Sequence, residues 1–298
     1  MNILITGGTG FIGRIVCQKL AGQGHDLTVL SRNPSRVKSF CGPNISAINS
    51  LTELTAERKF DAIINLAGEP IADARWTPAR KKILRESRIG VTNELIEFIS
   101  RTQIKPEVLV SGSAIGYYGN QGDVSLNEHS GFVDDFSHRL CAEWEQSAQR
   151  AADFGIRVCI LRTGLVIGPE GGFVQRMVTP FRLGLGGRIG NGRQWMSWIH
   201  RNDLVAMIDT MLHSEGANGI YNGTAPNPVT NREFTATLAK ILNRPAIIPV
   251  PTLALKVILG EMSELLLGGQ KVLPNRWAAE NYNFRFKTLD SALKDTLN

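Results

Sequence analysis

The sequence predicts an α/β fold, a doubly wound parallel sheet with a smaller C-terminal lobe, and three observations carry that prediction. Short apolar runs alternate with amphipathic helical segments from residue 2 to Gly168. The first strand-to-helix junction holds Thr6-Gly7-Gly8-Thr9-Gly10-Phe11-Ile12-Gly13. Past Pro169 the texture changes to glycine-rich loops. Alternating strands and helices pack as a parallel sheet covered on both faces, with ligands at the carboxyl ends of the strands.

Asn2 to Thr6 reads as a buried parallel strand. Phe11, Ile12, Ile15, Val16, Cys17 and Leu20 form the apolar face of the helix after it, which Gly22-Gln23-Gly24 ends before a second strand at His25 to Leu30. In that setting the glycines have separate tasks. Gly7 permits a tight turn, Gly10 lets the backbone approach a pyrophosphate, and Gly13 allows close helix-on-strand packing. The helix N-terminus offers free N–H groups and a favourable dipole to phosphates. Gly7, Thr9, Gly10, Phe11, Ile12 and Gly13 are therefore read as the dinucleotide-binding loop of a Rossmann domain.

Further strands are expected at Ile45 to Ile48, within Phe60 to Gly68, at Val108 to Ser111 and at Arg157 to Arg162. The helix over 79–100 carries Ile83, Ile89, Leu95, Ile96 and Ile99 on one side, and that over 137–152 carries Leu140, Trp144 and Ala148. Residues 1–168 form the dinucleotide-binding domain. Glycine clusters at 168–172 and 184–187 and the run Trp195 to His200 follow, and a return strand is expected near 219–222. Thr230 with Glu233 three residues on is a capping box that opens a helix. The run Leu253 to Leu267 is interrupted by Lys256, Glu261 and Glu264, which suits a packed helix and not a membrane span. Residues 169–298 are read as mostly the substrate lobe, discontinuous in sequence.

With 43% hydrophobic and 20% charged residues, the 298-residue chain has the balance of a folded globular protein, which excludes disorder. Cys17, Cys41, Cys141 and Cys159 lack paired metal-ligand spacing, so reduced thiols are expected and no metal site. The net charge of +6 comes from dispersed Lys and Arg without a nucleic-acid-binding signature, which suits an enzyme that binds anionic phosphates. No nucleic acid and no membrane partner is expected. The first strand leaves no room for a signal peptide, so a cytoplasmic location is expected.

The second strand ends in Ser31-Arg32-Asn33-Pro34-Ser35-Arg36, with no carboxylate to accept a ribose 2′-hydroxyl or repel a 2′-phosphate. Arg32 offers a planar fork to that phosphate, Ser31 a hydroxyl, and Arg36 further charge. NADP is therefore the expected cofactor.

These residues, with Asn65-Leu66-Ala67-Gly68, Ser111-Gly112-Ser113-Ala114-Ile115-Gly116-Tyr117-Tyr118-Gly119, Leu161 to Pro169 and Trp198 to Leu204, resemble the extended short-chain dehydrogenase/reductase superfamily over nearly the whole chain. Gly184 to Asp203 and Asn222 to Thr230 resemble, within it, the epimerase-family subgroup of the YfcH type. The resemblance implies that Leu66, Ala67 and Gly68 line the adenosine ribose and pyrophosphate and that Arg88 faces the cofactor. It implies a Ser at the end of the fifth strand that orients a substrate oxygen, a role open to Ser111 and Ser113. It also implies a Tyr and, four residues later, a Lys as the acid/base pair. That pair is missing between Val110 and Leu165. Aligning Glu143 with the acidic residue that follows the pair puts Asp135 at the tyrosine position and Arg139 at the lysine position. Arg139 suits holding the ribose but not proton relay. Tyr118, before Gly119, is the substitute candidate for the missing tyrosine, and aromatic packing over the cofactor mouth is the alternative.

Two functions follow. One is an NADP-dependent oxidoreductase or epimerase acting on a small-molecule substrate, sugar-like or anionic, which Arg176, Arg182, Arg188 and Arg193 would meet. The other is a catalytically inactive NADPH-binding sensor. The long helices that pair protomers in relatives have apolar faces here that suit a homodimer interface or the core equally.

Overall fold

Ile3, Leu4 and Ile5 have no solvent exposure, and that total burial places the first strand at the centre of the sheet. The computed structural model describes residues 1–297. Its main sheet has seven strands, β1 (Asn2–Thr6), β2 (Asp26–Leu30), β3 (Ser46–Ile48), β4 (Ala62–Asn65), β5 (Val108–Ala114), β6 (Arg157–Thr163) and β7 (Gly219–Gly223). Their spatial order is β7-β6-β5-β4-β1-β2-β3, and every pair is parallel. The order reverses between β1 and β4, where Thr6 lies beside Asn65, so a crevice opens at their carboxyl ends.

Alternation along β1 divides the core. Ile3 and Ile5 face one layer with Val16, Cys17 and Leu20 of α1 (Gly13–Gly22), while Leu4 faces the other with Leu95, Ile96 and Ile99 of α4 (Val91–Arg101). Each such side chain contributes about 1.5–3 kcal/mol through burial. Two shorter helices precede α4: α2 (Ser35–Phe40), and α3 (Pro78–Arg85), which opens on a Thr77 cap with proline at its first position. The helix expected over 79–100 is α3 and α4 joined through a π turn at Glu86–Gly90. Beside α4 on the same face of the sheet lies α5 (Phe136–Gln149), whose Ala148 shares a core with Leu95 and Ile99.

Between the glycine clusters the chain forms an eleven-residue helix, α6 (Gly172–Arg182), which the flanking glycines concealed in the sequence. Helices α7 (Arg201–His213) and α8 (Asn231–Leu242) follow, the latter with the expected Thr230–Glu233 capping box. The packed helix expected from 253 to 267 is corrected. Helix α9 (Thr252–Leu259) buries none of its residues, and Gly260, at φ +60°, ends it before a short turn and a second helical piece at Glu264–Leu267. Leu253, Val257 and Ile258 are all exposed.

The last helix, α10 (Leu289–Leu297), and the segment before it are held to the start of α7 by two acids. The buried Asp203 carboxylate accepts 2.9 Å hydrogen bonds from the N–H groups of Arg285 and Phe286. His200, fully buried, accepts the Asn202 N–H at Nδ1, and its Nε2 lies 3.1 Å from Asp295. Burial pushes the His200 imidazole down to about 4 from 6.5, against the pull of Asp295. Between those values the unfolded chain binds the proton and the folded chain does not, so stability falls as pH falls through that window. Chemical denaturation from pH 7 to pH 4 should show a loss of up to about 3 kcal/mol from this group, and His200→Gln should flatten that part of the curve.

Candidate active site

Gly7 adopts φ +69°, and a β-carbon there would overlap the Leu66 carbonyl; one on Gly13 would overlap the Gly7 carbonyl. These contacts draw the β1 loop, the β4 loop and the start of α1 together. Helix α1 begins with no side-chain cap and no acidic residue in its first turn, so its positive end faces the crevice uncompensated. A cradle that admits only backbone, backed by a positive helix end, fits a dinucleotide pyrophosphate. Thr9, Phe11 and Ile12 lie on the same loop, and the Phe11 ring packs under Gly171 and Gly172. The expected loop residues are thus brought together.

At the end of β2, the Ser31 hydroxyl is engaged with the main chain of Asn33, and Arg36 lies over the Phe40 ring at 4.7 Å. Arg32 is 88% exposed and its Nη1 meets Glu69 Oε1 at 2.7 Å. Across the crevice, Leu66, Ala67 and Gly68 run out of β4 beside Arg88. That half-buried guanidinium lies against Gly68, donates to the carbonyls of Glu69 and Leu84, and sits 5.5 Å from the Trp144 ring. Burial lowers its pKa, and Glu69 opposes that shift.

Ser111 is fully buried in a polar knot and does not reach the crevice. Thr6 Oγ1 donates to Asn65 Oδ1 at 2.6 Å, and Asn65 Nδ2 donates to Thr92 at 2.8 Å and to Ser111 at 3.4 Å. Thr6 also accepts the Ala67 N–H at 3.1 Å, which sets the path of the β4 loop. Ser113, two residues on, donates at 2.6 Å to Glu145 of α5. Glu145 is clamped by Arg162 of β6 through Nε and Nη2, both at 2.8 Å, and all three side chains are buried. Burial works against the Arg162 charge, but the two bonds it donates to Glu145 and that carboxylate's charge outweigh it and raise its pKa. The guanidinium carbon lies 3.3 Å from the centre of the Tyr117 ring.

Tyr118 is corrected from cleft to core. It is fully buried, its hydroxyl donates to Asn222 Oδ1 at 2.7 Å, and burial raises its pKa. The register chosen for α5 is corrected too. Asp135 caps the helix by accepting the His138 N–H, and Arg139 points to solvent, paired at 2.7 and 3.1 Å with Asp134. The face turned to β5 carries Ser137, Cys141, Trp144 and Glu145. A β-carbon on Gly116 would lie 3.2 Å from Ser137 Cβ and 3.7 Å from Cys141 Sγ. Ser137 and Cys141 therefore hold the i, i+4 positions beside Ser113, and burial pushes the Cys141 thiol up to about 12. Arg176 is exposed and paired with Asp73, and Arg182, Arg188 and Arg193 are exposed as well.

Sequence reading missed Glu69, Glu145 and Arg162. The signal for the last two was an arginine inside a run of strand residues, which must find a carboxylate if the strand is central. Glu145→Ala should cost about 3–5 kcal/mol by leaving Arg162 charged and unpaired, and Arg162→Met in the same chain should recover part of that in urea unfolding.

Residues 3–222 match the model of the NAD dependent epimerase/dehydratase family, and residues 250–296 match a domain of unknown function, DUF1731. Mouse epimerase family protein SDR39U1 is 38% identical over 301 residues that span the whole of both chains. An Arabidopsis thaliana chloroplastic homologue of SDR39U1 is 38% identical over 300 residues, 99% of this chain and 86% of that protein. Among solved structures, human epimerase family protein SDR39U1 (isoform 2) with NADPH superposes with a TM-score of 0.88 at 35% identity, covering 99% of this chain and 98% of that one. Bacillus cereus UDP-glucuronic acid 4-epimerase, at 18% identity and TM-score 0.80 over 99% and 97% of the two chains, shares the fold. With its seven-stranded parallel sheet and its glycine loop at the β1 switch point, the chain belongs to the NAD dependent epimerase/dehydratase family.

Proposed function

We propose that this protein is an NADP(H)-dependent oxidoreductase or epimerase of the extended short-chain dehydrogenase/reductase type, acting on a small hydroxyl- or carbonyl-bearing molecule. The NADPH in the human relative supports the cofactor choice. Gly7, Thr9, Gly10, Phe11, Ile12 and Gly13 would hold the pyrophosphate, Arg32 with Ser31 the adenosine 2′-phosphate, and Leu66, Ala67, Gly68 and Arg88 the opposite wall. The bound nicotinamide supplies hydride exchange.

The observation that carries a reaction beyond binding is the 2.6 Å bond from Ser113 to Glu145. A serine that donates to a carboxylate keeps its oxygen lone pairs for a substrate hydroxyl. That hydroxyl would give its proton to Ser113 Oγ as the serine proton passes to Glu145 Oε1, and a bound nicotinamide would supply the hydride exchange at the carbon. Carbonyl reduction runs the same path backwards. Arg162 holds Glu145 in place through two hydrogen bonds, and Glu145 takes over the acid/base task of the missing tyrosine. In this scheme Ser111, Tyr118 and Arg139 are supporting residues, and Ser113 is the residue that meets substrate.

NADPH oxidation and isotope exchange across a panel of sugars and ketones test the reading. Ser113→Ala should lower kcat about a hundredfold with NADPH binding unchanged, whereas Tyr118→Phe should stay within a few-fold of the parent. Tight NADPH binding with no turnover or exchange on any compound would instead establish the sensor.

A further inference from the structure

We propose that Glu69 is a positioning residue for cofactor selectivity, a brace that holds Arg32 in the orientation needed for the 2′-phosphate of NADPH; this rests on the assignment of Arg32 to that phosphate. Four basic or hydroxyl side chains follow β2, and three of them are engaged locally, Ser35 by donating to Asn33 Oδ1 at 2.6 Å. The Ser31 hydroxyl is bonded to Asn33 and Arg36 is laid on Phe40. Arg32 alone reaches across the crevice, and it does so to a single carboxylate oxygen at 2.7 Å.

Glu69 is a rigid anchor for such a reach. Its N–H donates to Ser87 Oγ at 3.0 Å and its carbonyl accepts from Arg88 at 2.9 Å, so its main chain is tied at both ends to the α3–α4 rod. Its carboxylate is 19% exposed and has a second cation, Arg80 Nη1, 3.7 Å from the other oxygen. Arg80 is itself fixed by a 2.6 Å bond to the Pro70 carbonyl. The cluster of Arg32, Arg80 and Glu69 keeps a net positive charge. One guanidinium nitrogen of Arg32 is spent on Glu69, and the Nε and Nη2 N–H groups stay free to meet a phosphate as a fork. A solvent-exposed arginine otherwise carries rotamer entropy that binding must remove. The brace removes it beforehand, in the absence of any 2′-phosphate contact by Glu69 itself.

Binding measurements need no substrate. NADPH and NADH affinities are measured by nicotinamide fluorescence for the full chain and for Glu69→Ala, Glu69→Gln, Arg32→Ala and the double variant Glu69→Ala/Arg32→Ala, with circular-dichroism melting to confirm folding. Glu69→Ala should weaken NADPH about tenfold and leave NADH within twofold, and Glu69→Gln, which keeps an acceptor for Arg32, should lose less. The double variant should bind NADPH no more weakly than Arg32→Ala, because the brace acts only through that arginine. Tighter NADPH binding by Glu69→Ala would make Glu69 a competitor of the phosphate and overturn the proposal. Equal weakening of both cofactors, or no change, overturns it as well. If Arg32→Ala leaves the preference for NADPH intact, the assignment of Arg32 fails and the brace with it; if Arg32→Ala abolishes the preference and Glu69→Ala does not alter it, only the brace fails.

Discussion

A guanidinium buried inside a parallel sheet is tolerable only with a carboxylate held against it, and the pairing of Arg162 with Glu145 is the constraint to which the β5–β6 side of the crevice conforms. The pair spans the gap between β6 and α5, so the rotation of α5 about its axis is set by a charge and not by hydrophobic packing alone. With Glu145 turned inward, Ser137 and Cys141 must also face β5, and Asp135 and Arg139 must face water. Ser113 completes the acceptor capacity of Glu145, and Tyr117 covers the guanidinium. Loss of the usual Tyr and Lys is thus part of a rebuilt interior, in which ionic groups occupy the layer behind the cleft.

Much of the architecture was legible because it rests on periodicity. The central strand is apolar on both faces, the glycine loop has the spacing a pyrophosphate requires, and Thr230 with Glu233 announces its helix. Glycine clusters misled at α6, since glycines that end one segment say little about the eleven residues between them. Composition misled at α9, where an apolar run is broken by Gly260 and left on the surface.

The candidate site divided along a different line. Backbone requirements leave marks in sequence, so the cofactor loop could be read residue by residue. Side-chain partnerships between distant segments leave few, since Glu69 and Arg32 or Glu145 and Ser113 are related only by the folded geometry. The misassigned register of α5 came from matching one acidic residue to a family pattern when two, Glu143 and Glu145, were available. Only one of them faces a buried arginine.

The π turn at Glu86–Gly90 adds one residue to a helical turn in the middle of the α3–α4 rod. That extra residue advances the face of the helix by about 100°. On its N-terminal side, Arg80 bonds the Pro70 carbonyl of the β4 loop and Lys81 pairs with Glu261 of the C-terminal lobe. On its C-terminal side, Thr92 meets Asn65 and Leu95 enters the core. One continuous helix would have to choose between those two phases. The rod is instead two helices with a fixed offset, the inner one packed on the sheet and the outer one joined to the β4 loop and to Glu261, with Arg88 standing at the joint.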